Sequence, residues 1–133
     1  MKEKAVLVIT HGKFGIELLK SVEMIMGEQK DAKALGLQLG DKVDDLRNEV
    51  EKIILENEKE DKETIIFVDI LGGSPSNIAL YVLKKHNSAK LITGVNMPML
   101  IEVFQSRDFV ELDELLEKMI NSSMESINKF EFS

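Results

Sequence analysis

Four short apolar runs are separated by longer stretches in which apolar residues recur every three or four positions. AVLVIT at 5–10 is β-branched and apolar on both faces, which predicts a strand buried inside a parallel sheet. TIIFVDI at 64–70 is the most apolar of the four, and AKLITGV at 89–95 has the same character. KALGLQL at 33–39 predicts a weaker strand with Gly36 inside it.

The intervening segments read as helices. Ile16, Leu19, Val22 and Met26 lie at helical spacing over 15–27, with Gly27 as the stop. Asp41 after Gly40 is the expected N-cap of a second helix, with Asp44 in its first turn and Val43, Leu46, Val50, Ile53 and Ile54 as its apolar stripe. Its charged end, EKEDKE at 58–63, reads as a solvated surface. Ser74 as N-cap and Pro75 at the first helical position open a third helix that reaches about His86 and turns Ile78, Ala79, Val82 and Leu83 inward. Lys84-Lys85-His86 then reads as a solvated helix end, cations meeting the negative pole of the dipole. A fourth helix is expected from Met99 to about Gln105. A fifth follows an Asp108–Glu111 capping box and carries Leu112, Leu115, Leu116, Met119 and Ile120. The alternating tail Lys129–Phe132 predicts a short edge strand.

Strands alternating with helices imply an α/β three-layer sandwich, a mainly parallel sheet covered on both faces. Crossovers are right-handed, so covering both faces requires one reversal in the direction of strand addition. The order 2-1-3-4 satisfies this and makes the first and third strands neighbours; ligands bind outside the carboxyl ends of such a pair. The first strand runs out at Thr10-His11-Gly12 and the third at Asp69, followed by Gly72, Gly73, Ser74 and Pro75. The pattern therefore places His11 and Asp69 at the mouth of one crevice.

Composition narrows the chemistry. The 133 residues fit one domain, 1–133, with a core of useful size. There is no cysteine, which removes disulfides and thiolate metal sites and agrees with a reducing cytoplasm. The N-terminal apolar run ends after five residues, and no segment approaches the roughly 20 needed to span a membrane. Net charge of −7 with scattered basic residues disfavours nucleic acid.

A carboxylate that accepts from one imidazole nitrogen sets the tautomer, aims the other nitrogen outward and favours a positive ring. Gly72 and Gly73 admit a ligand close to the backbone, and the amides of Ser74 and the following helical turn suit an anion, phosphate above all. Each feature has a plainer use: His11 as a structural residue, Asp69 as a cap on its own loop, GGSP as a helix start. Their convergence on one crevice carries the functional reading. His86 is assigned no role.

THGKFG at 10–15, GEQ at 27–29, DILGGSPSN at 69–77 and GVNMPML at 94–100 resemble, in order, motifs of the IIA domain of the mannose-type phosphoenolpyruvate-dependent sugar phosphotransferase system. The resemblance spans nearly the whole chain. It implies a phosphocarrier in which His11 carries the phosphoryl group on Nε2, Asp69 holds the Nδ1–H, and Gly72, Gly73 and Ser74 lie beside the phosphoryl group. It further implies the small carrier HPr as donor, a IIB component as acceptor on a separate chain, membrane IIC and IID components acting indirectly, and a cytoplasmic homodimer whose C-terminal strand covers an edge of the other subunit's sheet. No cofactor and no metal are expected. Phe14, Met97 and Met99 are candidates for an apolar rim facing the carriers, with core packing as the other use of the methionines. The family often reads D-T-W-G-G-S-P-F-N at its glycine turn, and this chain has Leu71 and Ser76 at the aromatic positions. Competing readings are a IIA-like phosphoryl donor to a dihydroxyacetone kinase and a non-catalytic anion-binding α/β module; a nucleotide module lacks support, there being no G-x-G-x-x-G and no Walker lysine.

Overall fold

The computed structural model describes residues 1–133. In chain order its elements are β1 (Lys4–His11), α1 (Phe14–Met26), β2 (Ala32–Leu37), α2 (Val43–Lys59), β3 (Glu63–Val68), α3 (Ser74–Lys85), β4 (Ala89–Thr93), α4 (Met97–Ser106) and α5 (Leu112–Glu125). The sheet is parallel throughout, in the expected order β2-β1-β3-β4. No helix is long and apolar enough to cross a membrane.

Because side chains alternate across a strand, the two central strands divide their residues between two cores. Val6 and Val8 of β1 and Ile65 and Phe67 of β3 pack against α1, α4 and α5. Leu7 and Ile9 of β1 and Ile66 and Val68 of β3 pack against α2 and α3. All eight are essentially without solvent exposure, as the continuous apolar runs require. The register pairs Ile9 with Val68, so the ends of β1 and β3 lie side by side.

Local capping departs from expectation in several places. Asp41 does not cap α2: Lys42 is the N-cap, and the Asp41 carboxylate accepts the Gln38 N–H at 2.7 Å, closing the turn before the helix. The Asp108–Glu111 capping box does not form, since α5 starts at Leu112 with Glu111 as N-cap and no side-chain cap. Gly73, not Ser74, is the N-cap of α3. Asn96 is a true cap, accepting the Met99 N–H at 3.0 Å, and it starts α4 at Met97. The end of α3 is not simply solvated. His86 Nδ1 lies 3.0 Å from Glu58 Oε1, and its side chain is only 12% exposed, so it ties α3 to α2. The tail Lys129–Phe132 is not a strand within this chain, and Phe130 and Phe132 are exposed; a strand needs a neighbour's hydrogen bonds, and this segment pairs with none of the four strands.

One close contact ties the start of α1 to β1. Thr10, fully buried, accepts the Gly15 N–H on Oγ1 at 2.8 Å. A Cβ at Gly15 would lie 2.7 Å from Val8 Cγ1 and 2.9 Å from Thr10 Cγ2. Helix propensity favours Gly15→Ala by about 1 kcal/mol, whereas overpacking costs about 1–3 kcal/mol. Both neighbours belong to a buried strand and have little room to yield. The substitution is therefore expected to lower stability by about 1 kcal/mol net, read as a lower urea midpoint at unchanged slope.

Candidate functional site

His11 is the last residue of β1, and Asp69 follows the last residue of β3. The β1–β3 pairing brings them together across 58 residues of sequence. Asp69 Oδ2 accepts the backbone N–H of His11 at 2.9 Å and meets the ring Nδ1 at 2.7 Å. Asp69 Oδ1 accepts the N–H of Ile70 at 3.0 Å. A carboxylate only accepts, so Nδ1 carries the proton and Nε2 of the neutral ring presents its lone pair. The His11 side chain is half exposed while that of Asp69 is only 14% exposed: a held anchor and an accessible ring.

Burial pushes the Asp69 carboxyl up, but the His11 backbone N–H, the His11 ring and the Ile70 N–H together outweigh it and hold the group below its ordinary carboxylate range. Asp69 therefore stays ionised at neutral pH and sets a negative charge against the Nδ1 side of the ring.

The next layer is the loop into α3. Gly73 has φ −93° and ψ 174°, a conformation open to any residue, so space explains the glycine. A Cβ there would stand 2.6 Å from His11 Cε1 and 3.0 Å from Nε2. The backbone of Gly73 thus lies against the very edge of the ring that would react. The amides of Gly73, Ser74 and Ser76 hydrogen-bond no other part of the protein, whereas that of Gly72 donates to Ser76 Oγ at 2.8 Å. Free amides at a helix N-terminus, beside Nε2, suit an anion.

Of the rim candidates, Phe14 is exposed at the start of α1, whereas Met97 and Met99 are partly buried and pack against the α1/α4/α5 core. Two further exposed apolar residues directly follow Asp69: Leu71, singled out as standing at a family-aromatic position, and Ile70, expected inside the third strand but lying beyond its end at Val68. Their signal was present: apolar residues that continue past the end of a strand. Thr10 and Ser76 were named in sequence, at a strand end and at a family-aromatic position, but neither was given a hydrogen-bonding role. Both are buried hydroxyls that bond backbone groups only three to five residues away, in loops whose conformation the residue types alone do not set.

Two outcomes are expected of this geometry. Gly73→Ala leaves the fold intact, because the half-exposed ring can swing away, but it separates His11 from Asp69; the ring nitrogens should then lose their single-tautomer 15N signature. The second concerns acid. The folded pKa of Asp69 is depressed, so its contribution to stability is complete above the unfolded value of about 3.9 and is lost as pH falls through the folded value. Asp69→Asn should flatten that acid limb in unfolding measured against pH.

Residues 5–120 match the family model described as PTS system fructose IIA component. The PTS system fructose-specific EIIA component of Bacillus subtilis is 31% identical over 122 residues, covering 92% of this chain and 83% of that one. The PTS system mannose-specific EIIAB component of Escherichia coli is 32% identical over 126 residues; the match covers 92% of this chain but only 38% of that longer protein. The crystal structure of phosphotransferase system component EIIA from Streptococcus agalactiae superposes with a TM-score of 0.86 at 29% identity, covering 95% and 96% of the two chains. The chain belongs to the mannose-type IIA family of the sugar phosphotransferase system, and it is a phosphotransfer component of that system.

Proposed function

We propose that His11 accepts a phosphoryl group on Nε2 from phospho-HPr and passes it to a IIB component, which serves sugar uptake and phosphorylation. The observation that carries this reading is the double hydrogen bond from His11 to Asp69, which engages Nδ1 and turns the Nε2 edge of a half-exposed ring toward unpaired amides.

The step balances simply. The lone pair of His11 Nε2 forms the new N–P bond while the N–P bond to the donor imidazole breaks, in line, and that imidazole leaves with the bonding pair. The ring proton stays on Nδ1, so the phosphorylated ring is formally cationic, and the Asp69 carboxylate compensates it from the far side. Little covalent work falls to the protein; positioning and charge stabilisation carry the transfer. The amides of Gly73 and Ser74 face the phosphoryl oxygens in this reading. Gly72 contributes a left-handed turn, with φ +97°, rather than a donor, its amide being taken by Ser76. Phe14, Ile70 and Leu71 supply an exposed apolar rim for the carriers, and Met97 and Met99 back it from the partly buried side. The exposed Phe130 and Phe132 suit a homodimer in which the tail covers a sheet edge. The relatives differ in sugar, one being fructose-specific and another mannose-specific.

Incubation with phosphoenolpyruvate, the first enzyme of the system and HPr should add one acid-labile phosphoryl group, seen by mass spectrometry. His11→Ala should take none; labelling of that variant at the wild-type level would falsify the assignment. Asp69→Asn should remain folded and transfer roughly 10- to 100-fold more slowly, the worth of one charge-assisted hydrogen bond. Transfer to a dihydroxyacetone kinase, but not to a IIB component, would redirect the same chemistry to a different acceptor.

A further inference from the structure

The glycine loop is held by a residue outside the machinery described so far. Ser76 lies in the first turn of α3 with no solvent exposure. Its hydroxyl accepts the Gly72 N–H at 2.8 Å and donates to the Gly73 carbonyl at 3.0 Å. The roles are unambiguous, because an N–H can only donate and the hydroxyl has one proton to give. The same carbonyl also accepts the Asn77 N–H at 3.0 Å.

Gly72 N–H belongs to the Leu71–Gly72 peptide and Gly73 C=O to the Gly73–Ser74 peptide. One buried oxygen therefore clamps the peptide units on both sides of the Gly72–Gly73 bond, in a stretch whose two glycines would otherwise leave it the most mobile of the chain. A trans peptide points its N–H opposite to its C=O. With the Gly73 carbonyl drawn in toward Ser76 and Asn77, the Ser74 N–H must point the other way, and it has no protein partner. Gly73 itself abuts the reacting edge of the His11 ring.

We propose that Ser76 is a positioning residue for phosphoryl transfer at His11: its hydroxyl clamps the glycine loop so that the free Ser74 amide is aimed at the phosphoryl group. This rests on the phosphocarrier reading above. It gives the serine a task of its own at a position where the family often carries an aromatic, the loop here being set by hydrogen bonds.

The test follows His11 phosphorylation by phospho-HPr in wild type and Ser76→Ala, with kcat and KM measured separately and the amide signals of Gly72 and Ser74 followed by NMR. Phosphorylation should shift the wild-type Ser74 amide proton strongly downfield. In Ser76→Ala that shift should shrink and kcat should fall about tenfold, the scale of one lost buried hydrogen bond, with KM for phospho-HPr unchanged. A loss that appears in KM alone, or a wild-type kcat with a wild-type Ser74 shift, overturns the proposal. Should Ser76→Ala fail to fold, Ser76→Cys keeps the volume and weakens both hydrogen bonds; it must show the same paired changes in smaller measure, and unchanged values overturn the proposal equally. A wild-type chain that takes no phosphoryl group overturns the phosphocarrier reading and this proposal with it, whereas normal labelling of both proteins at equal rates overturns this proposal alone.

Discussion

Two N–H groups of one residue converge on one oxygen of another: the backbone and the ring of His11 both meet Oδ2 of Asp69. The backbone bond extends the β1–β3 pairing one step past the last ladder pair, so the carboxylate stands in for a main-chain carbonyl and fastens the end of one strand to the other. The ring bond uses that same fixed oxygen to choose the tautomer. The geometry of the site and that of the sheet are therefore one object, and the ring is aimed by the same register that packs the core.

That register is well anchored. Four residues of β1 and four of β3 alternate between two apolar cores, each closed by its own set of helices. A slip by one residue would exchange the two sets and set every side chain against the wrong helices. The far side of the ring is shaped with equal economy. Gly73 leaves room for it, α3 directs its positive end there, and Ser76 occupies the one loop amide, that of Gly72, that turns away. The carboxylate meets one edge of the ring, at Nδ1, and the backbone of Gly73 meets the other, at Cε1 and Nε2. The net charge of −7 does not count against an anion at this place, because local dipoles, not the global balance, act at that distance.

Legibility followed the length scale of the signal. The strands and the helix stripes were plain, since burial imposes a period on many residues at once. Even the neighbouring of His11 and Asp69 followed from topology, because right-handed crossovers and two covered faces leave few strand orders. The caps were less legible. Asp41, Ser74 and Asp108 each had a residue type suited to a helix start, yet Asp41 closes the preceding turn, Ser74 lies one position inside its helix, and Asp108 precedes a helix that starts later than expected. A cap is a competition between single hydrogen bonds of similar worth, and sequence does not rank them. His86 went unread for a related reason: its partner Glu58 lies on another helix.

The sequence by itself determined the sheet, its order and the meeting of a histidine with an aspartate, because these follow from apolar periodicity and chirality acting along the whole chain. The tertiary structure alone decided which oxygen Asp69 uses, that Gly73 is there for the ring rather than for the turn, and that the hydroxyls of Thr10 and Ser76 hold the two loops that flank the site. Those are contacts of a few ångströms between groups whose positions exist only once both cores have closed, and no pattern along one chain encodes a distance of that kind.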